Sequence, residues 1–403
     1  MRGHIYQQKN GRKDGWTIVI DLPHDGEGKR QQKSFTVRGG IKDAQKRLRG
    51  LLHDLDKGKL TPSKQPLAQY LEQWLRDYAE PNTAPRTYER YCELIRLHLV
   101  PALGSIPLTS LQPYHIQAYY GRALKSGRRD GKSGGLSGKT VHHIHRLLFE
   151  ALRYATKHNI VGRNVAEAVD PPRAQRREMT TADSEGVNRL LKAVKDTHYY
   201  PIFFTAVYTG LRRSELLGLR WGNVDLDMAA LSVTDTIHFM KDGRVIIRQP
   251  KSRYSRRNVA LPPALAIMLR EHKAKQTEDK KALGLDLQDS DLVFSHPDGT
   301  PIRPNTVSRA FKLYAERVGL PTGRFHDLRH THATLLLKQG VHPKIVSERL
   351  GHSGVAITLD TYSHVLPGMQ EEAAKRFGEV LQQAKVQSEI EQIAELRFND
   401  KRE

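Results

Sequence analysis

The 403-residue sequence is poor in cysteine, in long apolar runs and in acidic charge. Its one cysteine, Cys92, excludes an intrachain disulfide framework and a cysteine-rich zinc site. Its apolar stretches are short and interrupted. Pro201–Tyr208 is one of them, and a membrane span needs roughly 20 such residues. Met1–Lys9 has no apolar signal core, so the expected setting is soluble and cytoplasmic. Asp and Glu number 44 against 65 Lys and Arg, a net charge of +21. Such a deficit of acid points to a polyanionic partner, nucleic acid first. What is present is sufficient for packed cores: 38% of residues are hydrophobic, which argues against a wholly disordered chain. The length suggests two or three domains.

The excess charge is not confined to a tail. Residues 1–60, 61–175 and 176–403 hold 14, 16 and 35 basic side chains against 7, 9 and 28 acidic ones. Each segment is therefore +7, and each is expected to face the same anion. The first is the most densely charged.

The organisation expected is multidomain and mainly α. In residues 1–60, Gly15–Asp21 alternates and is rich in β-branched residues, and Lys29–Arg38 is a second strand candidate with interleaved basic residues. Asp25–Gly28 reads as the turn between them, and the spacing of Ala44, Leu48, Leu51, Leu52 and Leu55 is helical. A small sheet with one helix, an α+β unit, fits a DNA groove. Residues 61–175 read as helical, with stripes at Leu67–Tyr78, at Thr87–Val100 up to Pro101, at Pro113–Lys125 and at Ser137–His158. Of the histidines in the last of these, His142, His143 and His145 are read as a polar, DNA-facing surface rather than a metal site. Residues 176–385 read as mostly helical with a small β insertion: Leu231–His238, Arg244–Arg248 and Arg257–Leu261. Residues 369–396 read as a long helix with a polar tail, and 386–403 as a C-terminal tail.

Three dispersed boxes carry the chemistry. In Thr209–Trp221, Gly210 precedes an amphipathic helix, Arg212 lies near its start, and Glu215 is placed to pair with an arginine of that turn. A helix N-terminus with a guanidinium suits phosphate. In Phe325–Thr334, His326 and Arg329 are at i and i+3 and share a helix face. In Leu350–Val365, His352 precedes Tyr362 by ten residues.

Taken in this order, these residues resemble the tyrosine recombinase (phage integrase) family. The resemblance assigns a catalytic set of Arg212, Lys251, His326, Arg329, His352 and Tyr362, with Glu215 supporting, and no cofactor. It is close over residues 178–385 and looser before them. It implies a three-domain integrase: an arm-type DNA-binding domain at 1–60, a helical core-site DNA-binding domain at 61–175 and a catalytic domain at 176–385. The implied reaction is site-specific cutting and rejoining of DNA through a 3′-phosphotyrosine and a free 5′-hydroxyl, to integrate and excise a mobile element. Two duplexes imply four protomers. The implied partners are core and arm attachment sites, an excisionase and a host DNA-bending protein, with residues 380–403 docking on a neighbouring protomer.

The residue types suit that chemistry. Attack at phosphorus needs a nucleophile, stabilisation of negative charge and a proton for the leaving oxygen. Tyr362 can be the nucleophile if clustered cations favour its anion. Arg212 and Arg329 can clamp nonbridging oxygens. His326 and His352 can donate hydrogen bonds or move protons. Lys251 is the general acid that the resemblance implies. No step requires ATP or a metal.

Other readings are weaker. His326, His330 and His332 could bind zinc, but no glutamate follows the first histidine and Arg329 would sit beside the ion. Asp225 and Asp227 lack a third carboxylate for a magnesium nuclease. A DNA-binding regulator that keeps the fold without the chemistry, and a type IB topoisomerase-like relaxing enzyme, are the functional rivals.

Overall fold

The computed structural model describes residues 3–7, 15–22, 31–56, 65–173, 179–249, 255–321 and 323–362, with short pieces between 374 and 382. The Asp25–Gly28 turn, Lys251 and most of the expected C-terminal helix and tail lie outside the described residues. The chain divides into two compact units, Met1–Arg177 and Glu178–Glu403.

The first unit opens with a three-stranded antiparallel sheet, Gly3–Gln7, Gly15–Leu22 and Gln31–Arg38, in that spatial order. The register pairs Ile5 with Ile18 and Ile18 with Phe35. That places Ile18 and Ile20 of the central strand on one face, with Thr17 and Val19 on the other. The helix Ile41–Asp56 packs on the Ile18 face, and Ile18, Ile20 and Leu51 form the buried centre of a small core of their own. Gly3–Gln7 is short and mixes polar with apolar residues, and it was not read as a strand in the sequence.

A helical bundle follows, with a separate core that includes Leu71, Trp74, Leu99, Tyr120, Leu148 and Leu152. Tyr70 donates from its buried hydroxyl to the carbonyl of Ala151 at 2.6 Å, joining the first and last long helices. The last, Gly138–Lys157, is capped by Ser137, whose hydroxyl accepts the Thr140 N–H at 3.2 Å. The second helix does not stop at Pro101. It runs from Pro85 to Leu103 with a π-type turn at Ile95–Leu99. That turn leaves Pro101 in the first turn of a new α segment, where a missing N–H is tolerated. His145 also departs from the expected outward surface. It is half-buried, and its Nδ1 shares a hydrogen bond with the Tyr120 hydroxyl at 3.1 Å.

The second unit is built on the helices Ser184–Val194, Tyr200–Thr209, Pro263–Ala282 and Pro304–Arg317 around an apolar core. Phe203, Phe311 and Phe325 form its aromatic centre, with Phe311 and Phe325 edge to face at 5.8 Å. Trp221 is fully buried and donates its indole N–H to Gln276 at 2.7 Å. The β insertion is split. Ala230–Val233 pairs with Val224–Asp225 and Arg257–Ala260, while Thr236–Phe239 and Val245–Arg248 form a separate hairpin. The single strand read at Leu231–His238 is therefore two. Three further helices, Asp327–Lys338, Pro343–Leu350 and Val355–Tyr362, enclose a smaller core of Ala333, Leu337, Val346, Leu350 and Tyr362. No described helix is long and apolar enough to cross a membrane.

Candidate active site

The site grows from a glycine. The helix Tyr200–Thr209 ends on Gly210 at φ 64°, in the left-handed region. A side chain there would meet the His332 ring at 2.6 Å, so conformation and packing both demand glycine. The Gly210 carbonyl accepts a hydrogen bond from Arg329 Nη1 at 2.8 Å. Two residues on, Arg212 caps the helix Arg213–Leu216, a single turn rather than the longer amphipathic helix read from the sequence. The leucines that suggested a longer helix, Leu216, Leu217 and Leu219, are buried in the core without one.

Glu215 closes this turn. One carboxylate oxygen accepts from Arg212 Nη1 at 2.7 Å, and the other from the Arg212 backbone N–H at 2.9 Å. The second oxygen also takes Arg257 Nη2 at 3.0 Å. The Glu215 side chain is 1% exposed and that of Arg257 is 6%. Burial alone would raise the Glu215 carboxyl. Arg257 and then Arg212 outweigh it and hold the group below its ordinary value.

Arg329 is buried near the start of Asp327–Lys338, and its second guanidinium nitrogen donates to the Leu350 carbonyl at 2.7 Å. Burial, then the charge of Arg212, pushes its pKa down. A guanidinium nevertheless stays charged at neutral pH. Arg212 Nη2 reaches the Gly351 carbonyl at 3.2 Å, so both arginines are tied to the turn that precedes His352. His352 shares a 2.8 Å hydrogen bond from Nδ1 with the buried Thr358 hydroxyl. His326 sits at the helix cap, its ring edge-on to His330 with centroids 4.9 Å apart. Burial and neighbouring positive groups lower both His326 and His352 to about 4, so both are neutral at pH 7.

Tyr362 is the last described residue of the helix Val355–Tyr362. It is 1% exposed, and its hydroxyl shares a 2.9 Å hydrogen bond with His330 Nδ1. Clustered cations were expected to favour its anion. Instead burial pushes the phenol up to about 12, with Arg329 opposing only in part. The tyrosine in this state is a phenol.

Arg212, His326, Arg329, His330, His352 and Tyr362 line one open cavity of about 440 Å³. The structure thus brings together five of the six residues named from the sequence. The sixth, Lys251, lies outside the described residues. Glu215 lies behind Arg212 and does not line the cavity. Three contributors were missed or misread. Arg257 stands two residues before buried Val259 on a short strand, and that period-two spacing was the available signal. Thr358 lies one helical turn before Tyr362. His330 entered the sequence reading only as a zinc candidate. The three histidines of that reading do not converge: His332 is buried elsewhere, Nδ1 against the Val207 carbonyl at 2.8 Å and Nε2 accepting from Arg349 at 3.1 Å. Among the described residues no group of three or more His, Cys, Asp or Glu side chains is placed to hold a metal ion. Asp225 instead caps a turn through the N–H groups of Asp227 and Met228.

The sequence and the fold match known proteins. Residues 181–369 match the phage integrase family, and residues 67–123 match its N-terminal SAM-like domain. The ICEBs1 integrase of Bacillus subtilis is 30% identical over 268 residues, covering 66% of this chain and 72% of that one. The chain belongs to the phage integrase family: it is a tyrosine recombinase, an enzyme of site-specific DNA breakage and rejoining. A tyrosine recombinase XerC-like protein of Caldanaerobacter subterraneus subsp. tengcongensis is 28% identical over 391 residues, covering 92% of this chain and 97% of that one. Among solved structures, the Tn1549 transposon integrase in complex with circular intermediate DNA has the same fold, with a TM-score of 0.61 and 20% identity over 77% of this chain and 99% of that one. A lambda integrase tetramer bound to a Holliday junction gives a TM-score of 0.54 and 19% identity, over 88% of this chain and 94% of that one.

Proposed function

We propose that Tyr362 is the nucleophile, Arg212 and Arg329 the clamp on the scissile phosphate, His326 and His352 its hydrogen-bonding partners, and Lys251 the general acid. The observation that carries this is the convergence of both arginines, both histidines and Tyr362 on one cavity. The tyrosine oxygen forms a bond to phosphorus while the bond from phosphorus to the 5′ oxygen breaks. The 5′ oxygen takes a proton from Lys251 and leaves as a hydroxyl. Negative charge builds on the nonbridging oxygens, and guanidiniums already fixed by Glu215, Gly210 and Leu350 meet it without reorganising. Glu215 acts as a positioning residue, because it touches Arg212 and Arg257 and not the cavity. The 3′-phosphotyrosine conserves the energy of the broken bond, so a second 5′-hydroxyl can reverse the step without ATP. Protein cations supply the charge stabilisation, so the reaction is expected to run in EDTA.

Residues 1–60 are proposed to bind arm-type sites and residues 61–175 core-type sites. The equal +7 charge of each segment supports this, as does the lambda integrase dimer bound to a core site, which shares the fold. The synapse is proposed to be a tetramer, as in the lambda integrase complex with a Holliday junction. An excisionase and a host DNA-bending protein are proposed partners, and residues 380–403 a proposed docking segment between protomers. The working place is the cytoplasm, on DNA.

The test is covalent trapping on DNA carrying the attachment site, in EDTA, resolved on a denaturing gel. Wild type is expected to form an adduct. Tyr362→Phe is expected to bind equally and form none. An adduct in the Tyr362→Phe protein would overturn the assignment.

A further inference from the structure

The phenol of Tyr362 must lose its proton as its oxygen attacks phosphorus. The side chain already joined to that hydroxyl is His330, through Nδ1 at 2.9 Å. We propose that His330 is a catalytic residue of the same reaction, the acceptor of the Tyr362 proton. This rests on Tyr362 being the nucleophile.

The geometry favours His330 over the other histidines. His352 Nδ1 is engaged with the Thr358 hydroxyl. His332 is occupied at both ring nitrogens. His326 lies edge-on against the His330 ring and braces it, one turn earlier on the same face. His330 itself lines the cavity beside Tyr362. Its Nδ1 can accept only when the imidazole is neutral with its proton on Nε2. Burial, opposed by Asp327 and reinforced by Arg329 and Arg324, lowers its pKa from the ordinary value. His326, His352 and Tyr362 are the other titratable groups that face it. At neutral pH the ring is therefore ready to accept.

The step balances. As the Tyr362 oxygen bonds to phosphorus, its proton moves to His330 Nδ1, giving an imidazolium. The P–O5′ bond breaks, and the leaving oxygen takes a separate proton from Lys251. On rejoining, the attacking 5′-hydroxyl regenerates the phenol as His330 returns its proton to the departing Tyr362 oxygen. An imidazolium one hydrogen bond from the phosphotyrosine would thus serve as the general acid of that second half.

The test uses the full chain and a half-site duplex whose scissile linkage carries a bridging 5′-sulfur. A thiolate leaves without a proton, so the rate of adduct formation reports the nucleophile's proton rather than that of Lys251. Three variants are compared with wild type: His330→Ala, His330→Asn and Tyr362→Phe. Asn offers an oxygen near the position of Nδ1, so it keeps a hydrogen-bond acceptor that cannot take the proton. Both His330 variants are expected to bind DNA as wild type does and to cleave on the order of 10²-fold more slowly at pH 7. Their rates should climb continuously with pH, whereas wild type should plateau above the His330 pKa. A wild-type rate in His330→Ala, or rescue of that rate by His330→Asn, would overturn the proposal while leaving Tyr362 as nucleophile. An adduct with Tyr362→Phe would instead overturn the reading on which it rests. Equal DNA affinity and an unchanged thermal melt of His330→Asn exclude a folding defect as the cause of slow cleavage.

Discussion

Glu215 and Arg257, 42 residues apart in the chain, meet at 3.0 Å with both side chains almost fully buried. The same carboxylate holds Arg212, whose side chain is 36% exposed. One anion therefore sets the position of two cations, one structural and one facing the cavity. Replacing Glu215 with Gln leaves a buried guanidinium without its counter-charge. Removing one partner of a buried pair costs about 3–5 kcal/mol, and solvent around Arg212 relieves part of this, so the lower end is expected. Chemical denaturation of Glu215→Gln reads that loss, and cleavage should fall with it even where the protein is folded. The carboxyl is held below its ordinary 4.5, so its contribution is complete above that value and is lost as pH falls through the lower folded one. The Gln variant should lack this acid limb.

Gly210 is constrained twice, by φ 64° and by the His332 ring. Gly210→Ala is expected to destabilise the protein by about 1–3 kcal/mol. It should also slow cleavage, because the displaced backbone carries the carbonyl that Arg329 grips. A thermal melt and a single-turnover cleavage assay check the two effects.

Three histidines of this region are held neutral, His332 buried, His352 half-buried and His326 with its side chain more open to the cavity. His326 and His352 titrate near 4 and His332 near 3, against an ordinary 6.5. Between pH 6.5 and 4 the unfolded chain therefore binds more protons than the folded one. Stability is full above 6.5 and declines as pH falls below it. Denaturation midpoints from pH 8 to 4.5 should be flat at first and then drop. His332→Asn, lower in absolute stability, should show a shallower drop.

Thr358 sits one turn before Tyr362 and fixes the His352 ring through a 2.8 Å hydrogen bond. Thr358→Val keeps the shape and leaves Nδ1 without that partner, at a cost of about 1–3 kcal/mol. Cleavage should fall by about tenfold or more. Thr358→Ser, which restores a hydroxyl, should recover much of the rate.

The boxes that resemble the family were legible because each is compact in sequence, and the order Arg212, His326, Arg329, His352, Tyr362 survives as one cavity. The helical stripes of the bundle were legible from apolar spacing, and the strand Val245–Arg248 from its β-branched run. What was not legible depended on distant partners. Arg257 looks like any surface arginine until Glu215 arrives from another element. Pro101 looks like a stop until the π-type turn ahead of it is known. Leu231–His238 reads as one strand because its apolar pattern does not show that its ends join different sheets. The state of Tyr362 was misjudged for a related reason: charges are countable in a sequence, whereas burial is not, and burial wins here.

The most direct measurement is the chemical identity of the DNA–protein linkage. The full chain is trapped on a nicked attachment site in EDTA, digested with protease, and the DNA-bound peptide sequenced by mass spectrometry. The account predicts one linked peptide, joined through Tyr362 to a 3′-phosphate, with a free 5′-hydroxyl on the released strand. A linkage through another residue, a 5′-phosphate bond, or cleavage that leaves no covalent linkage would contradict it.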